Sequence, residues 1–363
     1  MSSVFFKYGT QLLHMQNINL FKEQISSASS KKIIITTHHK PDADALGSSL
    51  ALAGYLNKKN HQVDVITPSD YPVFLHWMKG NDEVINYEDP EKVEKAEKLI
   101  AEADIIFCLD FCCLSRLQKM EDSVRQSKAY IVNIDHHQEP EDFADFSFCS
   151  TEAAATCELL YDIMVKVGDR DLIDKDIAEC LYSGIMTDTG GFRHPNTTKN
   201  VHLVTAELID LGADNSKIAR LIYDTYSVNR LKFLGFALTR RLTILPEFNT
   251  AFFAISKKDL RKYQSQTGDA EGLVNYALSL DGIKIAALFT ERKDGVKISF
   301  RSAEDVSVNK FAAKYFNGGG HKNASGGISD VNLEQTVDRF KELIKENKQI
   351  LFNQLELVDE KNQ

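Results

Sequence analysis

Three short apolar runs, each ending in ionisable residues, constrain this chain more than any other feature. Lys31 to Thr37 (KKIIITT), Asp104 to Leu109 (DIIFCL) and Ala129 to Ile134 (AYIVNI) are almost uninterrupted apolar stretches, and Val63 to Thr67 is a fourth run without the charged ending. A strand with one wet face alternates polar and apolar residues. A strand that is apolar at nearly every position has to be covered on both sides, as in a parallel sheet between helical layers. Apolar residues at helical spacing over Ala45 to Lys59, Glu152 to Val167 and Lys175 to Thr187 supply such layers, with Pro90 to Glu102 as a further helical or loop segment. The expected fold class is therefore α/β, a mainly parallel sheet flanked by helices.

The charged endings say where chemistry belongs. His38, Asp42 and Asp44 follow the first run, Asp110 follows DIIFCL, and Asp135, His136 and His137 follow AYIVNI. In open α/β sheets the ligand crevice lies outside the carboxyl ends of the strands, so these groups are expected at one edge. Thr187-Asp188-Thr-Gly-Gly breaks a helical pattern and delivers another carboxylate at a helix end. Four carboxylates (Asp42, Asp44, Asp110, Asp188) and two imidazoles (His38, His136) could supply the six ligands of a binuclear site with one Asp bridging. Such oxygen and nitrogen ligands suit Mn²⁺, Mg²⁺ or Fe²⁺, and ions about 3.5 to 4 Å apart clamp an in-line phosphoryl displacement. Each element alone has a plainer account: Asp42 and Asp44 as a turn or helix cap, Asp110 as a turn residue, Asp188 as a helix-terminal one. Asp-His-His is harder to explain by packing, and the joint placement makes the case.

Composition sets the limits. With 363 residues, 43% apolar and 26% charged, the chain is long enough for two cores. Beyond about Leu242 the pattern shifts to short strands, Thr250 to Ile255, Ile283 to Thr290 and Val296 to Ser302. The expected organisation is a metal-binding domain over residues 20–227, a helical connector over 228–245 and a smaller α+β domain over 246–350, with the last residues, ValAspGluLysAsnGln, frayed. No window approaches the roughly 18 apolar residues of a membrane span, and no signal-like N-terminus is present, so a cytoplasmic address is expected. The six cysteines lack framework or zinc-site spacing and read as reduced, buried small apolar residues. A net charge of −9 argues against coating long nucleic acid while allowing a small anionic ligand. Between Lys217 and Lys262 there are ten Lys or Arg against three Asp or Glu, which reads first as a solvated face. A homodimer stays open.

The motifs His38-His-Lys-Pro-Asp42-Ala-Asp44-Ala-Leu-Gly47-Ser48, Asp110, Asp135-His136-His137 and Asp188-Thr-Gly-Gly-Phe192, in that order, resemble the DHH phosphoesterase superfamily. The resemblance implies His38, Asp42, Asp44, Asp110, His136 and Asp188 as ligands of two Mn²⁺-type ions, with Asp110 bridging. It implies His137 beside the scissile phosphate or acting as an acid, and Asp135 orienting an imidazole. Ser299-Phe-Arg301-Ser302 followed by Gly318-Gly-Gly-His321-Lys-Asn323-Ala-Ser325-Gly326-Gly resembles the DHHA1 substrate domain of the same superfamily. Its glycines would let backbone approach an anion, amides of a following helix could point at phosphate, and Arg301 offers a planar fork. Gly319, Gly320, His321, Asn323 and Ser325 are by the same resemblance substrate contacts. The resemblance spans residues 20 to 345 and implies hydrolysis of short oligonucleotides and 3′-phosphoadenosine 5′-phosphate in a cleft between the domains. Cyclic di-AMP hydrolysis, pyrophosphate or polyphosphate hydrolysis, and non-catalytic nucleotide binding are the alternatives. His39, Arg193 and His194 depart from the pattern, and whether they join the site stays open.

Overall fold

The strand built from Ile33, Ile34 and Ile35 lies in the middle of the first of two sheets, and its burial fits its sequence: Lys32 is exposed and the next five residues are buried. The computed structural model describes residues 18–348 except 20, 27, 28, 139, 294 and 304. The expected frayed tail lies outside the described residues. The chain divides into two compact units with the boundary between Thr225 and Tyr226.

The first unit holds β1 (Lys32–Thr37), β2 (Gln62–Thr67), β3 (Ile85–Asn86), β4 (Ile105–Leu109), β5 (Tyr130–Asp135) and β6 (Phe146–Cys149) in the order β3-β2-β1-β4-β5-β6, with every pair parallel. The order reverses between β1 and β4, which is the topological switch point where such sheets open a crevice. Its helices include α1 (Ala43–Lys58), α2 (Val93–Ala101), α3 (Thr156–Lys166), α4 (Lys175–Asp188), α5 (Lys199–Asp210) and α6 (Asn215–Tyr223). Ile33, Ile35, Phe107 and Leu109 pack on one face with Leu46, Leu50, Leu181 and Ile185, while Ile34, Ile106 and Cys108 pack on the other with Ala96 and Ile100. Two covered faces are what the run of apolar residues requires. Helices α1 and α4 pass close together because Gly47 has no side chain; a Cβ there would sit 2.5 Å from the Cys180 carbonyl oxygen.

The second unit carries α7 (Val228–Arg240), α8 (Lys257–Lys262), α9 (Val308–Tyr315) and α10 (Leu333–Glu346) around a mixed sheet. Its strands are β7 (Leu242–Leu245), β8 (Thr250–Ile255), β9 (Ile285–Arg292), β10 (Gly295–Ser302), β11 (Gly319–His321) and β12 (Ala324–Ser329), ordered β11-β12-β10-β9-β8-β7, and only β8 and β9 run parallel. One face buries Phe252, Phe289 and Phe300 against Phe311 and Phe340; the other buries Ala251, Phe253 and Leu288 against Phe233 and Ala237 of α7. Residues 228–245 thus form α7 and β7 inside this unit.

No cysteine is disulfide-bonded, and Cys108, Cys157 and Cys180 are buried as small apolar residues. Cys112, Cys113 and Cys149 are only half-buried, a departure from the expected burial: the first two lie in the loop beyond β4 and the third at the end of edge strand β6. No helix among the described residues is long and apolar enough to cross a membrane.

Candidate metal centre

The switch point gathers the ionisable residues. β1 ends at Thr37 and hands over to His38; the chain then turns so that Asp42 caps α1, its Oδ1 accepting from the amides of Asp44 and Ala45 at 3.1 Å each. The cap reading and the ligand reading therefore coexist, because Oδ2 of Asp42 is turned to His38 Nε2 at 3.9 Å. Asp110 leaves β4 with a φ of +65°, a left-handed conformation that Asp tolerates better than most residues, while its amide still donates to Ile134 O at 3.0 Å. Asp135 ends β5 and puts His136 and His137 at the same edge, and Asp188 is the last residue of α4.

Asp110 is the centre of the arrangement. Its Oδ2 lies 3.5 Å from His38 Nε2, and its Oδ1 lies 3.4 Å from His136 Nε2. His136 Nε2 is also 3.3 Å from Asp188 Oδ2 and 3.8 Å from Asp44 Oδ2. Three three-residue groups result, His38 with Asp42 and Asp110, Asp44 with His136 and Asp188, and Asp110 with His136 and His137, the donor atoms of each lying within 4.8 Å of one another. One carboxylate, that of Asp110, reaches toward both His38 and His136, as a bridging ligand has to. His137 Nδ1 sits 2.6 Å from Asp135 Oδ1 and 3.8 Å from Asp110 Oδ1.

The electrostatics follow from crowding. Burial, then the charges of Asp110 and Asp188, push the Asp44 carboxyl well above its ordinary range. Burial likewise moves Asp188 up, with Asp42 and Asp110 adding to the rise and a hydrogen bond from His136 opposing it, to about 6. Burial opposes charge on His136, but hydrogen bonds to Asp110 and Asp188 outweigh it and raise the imidazole well above its usual range. Among the described residues no lysine or arginine lies within ion-pair distance of Asp44, Asp110 or Asp188. Buried carboxylates without a cation are costly, so a set of four carboxylates and two imidazoles, with no thiolate, fits a pair of hard or borderline divalent ions.

Support from behind the ligands was not legible from strand ends. Thr156 and Cys157 open α3, and their amides donate to Asp44 Oδ2 at 2.7 Å and Oδ1 at 2.9 Å, while Thr156 Oγ1 donates to Asp110 Oδ1 at 2.9 Å. A helix start that holds carboxylates in this way is a familiar use of free amides. The signal available was Thr156 itself, at the head of a helical pattern. Gly184 of α4 passes behind Asp44, where a Cβ would come 2.5 Å from its Oδ1. His39 instead faces Glu88, Nε2 to Oε1 3.7 Å. Arg193 Nε donates to Gly190 O at 2.7 Å, and His194 Nδ1 is 3.3 Å from the Asp188 carbonyl oxygen.

In the second unit, Arg301 on β10 is in register with Ala324 on β12, which is in turn in register with His321 on β11. Gly319, Gly320, Asn323 and Ser325 therefore lie near the end of β10 that carries Arg301. The glycine-rich segment does not open a helix, as expected above; Gly319–His321 is an edge strand paired with β12. Close strand packing explains the difference, since a Cβ on Gly318 would meet the Gly326 carbonyl oxygen at 2.0 Å. Asn323 Nδ2 donates to Ser302 Oγ at 3.0 Å and Val306 O at 3.2 Å, tying the hairpin to the end of β10.

Comparison with known proteins agrees with this division. Residues 32–185 match the DHH family N-terminal domain, and residues 252–349 match the DHHA1 domain. The bifunctional oligoribonuclease and PAP phosphatase NrnA of Bacillus subtilis is 29% identical over 295 residues, covering 81% of this chain and 88% of that protein. The enzyme of the same name from Thermus thermophilus is 30% identical over 326 residues, covering 89% of this chain and 92% of the relative. The crystal structure of an exopolyphosphatase-related protein from Bacteroides fragilis is 37% identical and superimposes with a TM-score of 0.86, covering 93% of this chain and 98% of that one.

Proposed function

This chain belongs to the DHH family and carries a DHHA1 domain as its second unit, and from that premise we propose that it is a metal-dependent phosphoesterase acting on short oligonucleotides and 3′-phosphoadenosine 5′-phosphate. The observation that carries the reading is the split of Asp110, one oxygen toward His38 and the other toward His136. His38 and Asp42 would hold one ion and Asp44, His136 and Asp188 the other, with Asp110 within reach of both groups. When bound, two divalent ions, Mn²⁺ by preference, offset the buried carboxylate charge, lower the pKa of an attacking water and stabilise charge on phosphate oxygens.

The chain's own residues do the rest. Asp135 fixes the His137 ring through Nδ1, and in this reading the imidazole contacts the scissile phosphate or carries a proton for the leaving oxygen. Thr156 and the α3 amides keep Asp110 and Asp44 from rotating away. In the second unit Arg301, with the backbone of Gly319 and Gly320 and with His321, Asn323 and Ser325, forms the substrate-holding edge. A hydrolysis panel with Mn²⁺ tests this: an RNA dinucleotide, bisphosphoadenosine, cyclic di-AMP and pyrophosphate, with Asp110→Ala as control. Turnover of the first two that vanishes in the variant supports the reading. Turnover of only pyrophosphate or cyclic di-AMP replaces the substrate, and no turnover of any overturns the enzyme.

A further inference from the structure

The sequence showed an excess of basic residues between Lys217 and Lys262 that the metal centre does not use. The structure concentrates part of it. Lys232, Arg240 and Arg241, on and just beyond α7, and Lys262, at the end of α8, line a cavity of about 580 Å³ together with the rings of Phe236 and Tyr263. All six residues belong to the second unit.

The four cations are not equivalent. Arg241 grips Asp259 with both arms, Nε to Oδ2 2.9 Å and a terminal nitrogen to Oδ1 2.8 Å, and lies 4.9 Å from the Phe236 ring centre. It is a fixed strut. Lys232, Arg240 and Lys262 have no carboxylate within 4 Å among the described residues, although the chain as a whole carries a net charge of −9. Lys262 Nζ is 5.5 Å from the Phe236 ring centre and 5.3 Å from that of Tyr263, and the two rings are 5.0 Å apart at 33°. The cation–π contacts keep the ammonium group near the rings, so less side-chain freedom is lost when an anion arrives. Unpaired cations around half-buried aromatic rings are the components from which sequence-tolerant single-strand surfaces are made: phosphates meet the cations and bases meet the rings.

We propose that the Lys232, Phe236, Arg240, Lys262 and Tyr263 face of the second unit is an accessory site for single-stranded nucleic acid, binding successive backbone phosphates of an oligonucleotide longer than the two nucleotides needed for hydrolysis. The proposal rests on the oligonucleotide reading for its ligand class and adds to it a surface apart from Arg301 and the glycine-rich strand.

The test uses the full chain loaded with Mn²⁺ and a fluorescent hexanucleotide with hydrolysis-resistant phosphorothioate linkages, followed by anisotropy from about 50 to 200 mM salt. The expected result is that Lys232→Ala, Arg240→Ala and Lys262→Ala combined weaken hexamer binding at least tenfold. The log–log salt slope should become shallower by about 2, at roughly 0.7 per lost phosphate contact. Phe236→Leu with Tyr263→Leu should weaken the hexamer more than inorganic polyphosphate of similar length. An unchanged affinity and slope in the triple variant, with melting temperature and circular dichroism intact, overturns the site. Polyphosphate or phosphatidylglycerol vesicles bound more tightly than the hexamer overturn its ligand. Binding and turnover are separate readouts. A chain that binds the hexamer through these residues but hydrolyses nothing in the panel defeats the proposed function alone, whereas active enzyme with wild-type binding in the triple variant defeats this site alone.

Discussion

The two units treat charge in opposite ways. In the first, carboxylates and imidazoles from β1, β4, β5 and α4 are forced together in a buried edge, with no lysine or arginine to relieve them among the described residues. In the second, basic residues line an open cavity, and the buried carboxylate of Asp259 anchors an arginine. Buried, crowded charge is costly, a bound ion would offset it, and such charge can change chemistry. Charge at a wet rim costs little to keep and can only select and orient. The difference separates a reacting centre from a recognition surface before any substrate is known.

That contrast can be broken most directly at its centre. Asp110→Asn keeps the shape and tolerates the left-handed backbone, yet removes the shared charge. It should lower kcat by roughly 10³-fold or more, about 4 kcal/mol of transition-state stabilisation, as steady-state hydrolysis would read. Thr156→Val tests the support behind that residue; losing its hydrogen bond to Asp110 Oδ1 should cost about 10- to 100-fold in metal affinity or activity, measured by metal titration beside turnover. On the recognition side, Arg301→Lys should raise KM for bisphosphoadenosine by roughly tenfold with a smaller effect on kcat, because an ammonium cannot reproduce the two-pronged contact. An effect confined to kcat would place Arg301 with the reacting groups and erase the distinction.

The smallest expected effect is on stability. Burial alone would raise the Asp259 carboxyl, but hydrogen bonds from Arg241 and from Ser256 outweigh it and hold the group below its ordinary range. A carboxyl depressed in the folded state contributes stability that is present above the unfolded value, near pH 4, and is lost as pH falls through the folded value. Asp259→Asn should therefore cost about 1 kcal/mol at neutral pH and progressively less in acid, a gap that closes in urea melts between about pH 5 and pH 2.

The sequence was most informative where its pattern was most one-sided. Ile33 to Ile35 and Ile105 to Leu109 have no polar face, so the parallel sheet and its covered faces followed, and residues at strand ends followed from the sheet. The joint placement of His38, Asp110 and His136 was legible for that reason. Thr156 and Gly184 were not, because their roles depend on where helices pass behind the ligands, and spacing along the chain carries no record of that. The glycine-rich segment misled in the same way. Glycines suit an anion loop and a tight strand crossing equally, and only the approach of Gly318 to Gly326 distinguishes them. The cysteines after β4 show that a small apolar residue in a loop is not thereby buried.

The crossover between β1 and β4 has a consequence for how the protein comes into being. The ligand positions are spread from His38 to Asp188, and no stretch of nascent chain shorter than that contains them all. An ion binding at the finished centre would therefore favour only molecules whose sheet, α1 and α4 are already in place, stabilising them by mass action. On the proposed metal reading, metal supply would act as an inspector of assembly: a misregistered strand, by displacing its terminal ligand, would forfeit the ion and with it the stabilisation that correctly folded copies would receive.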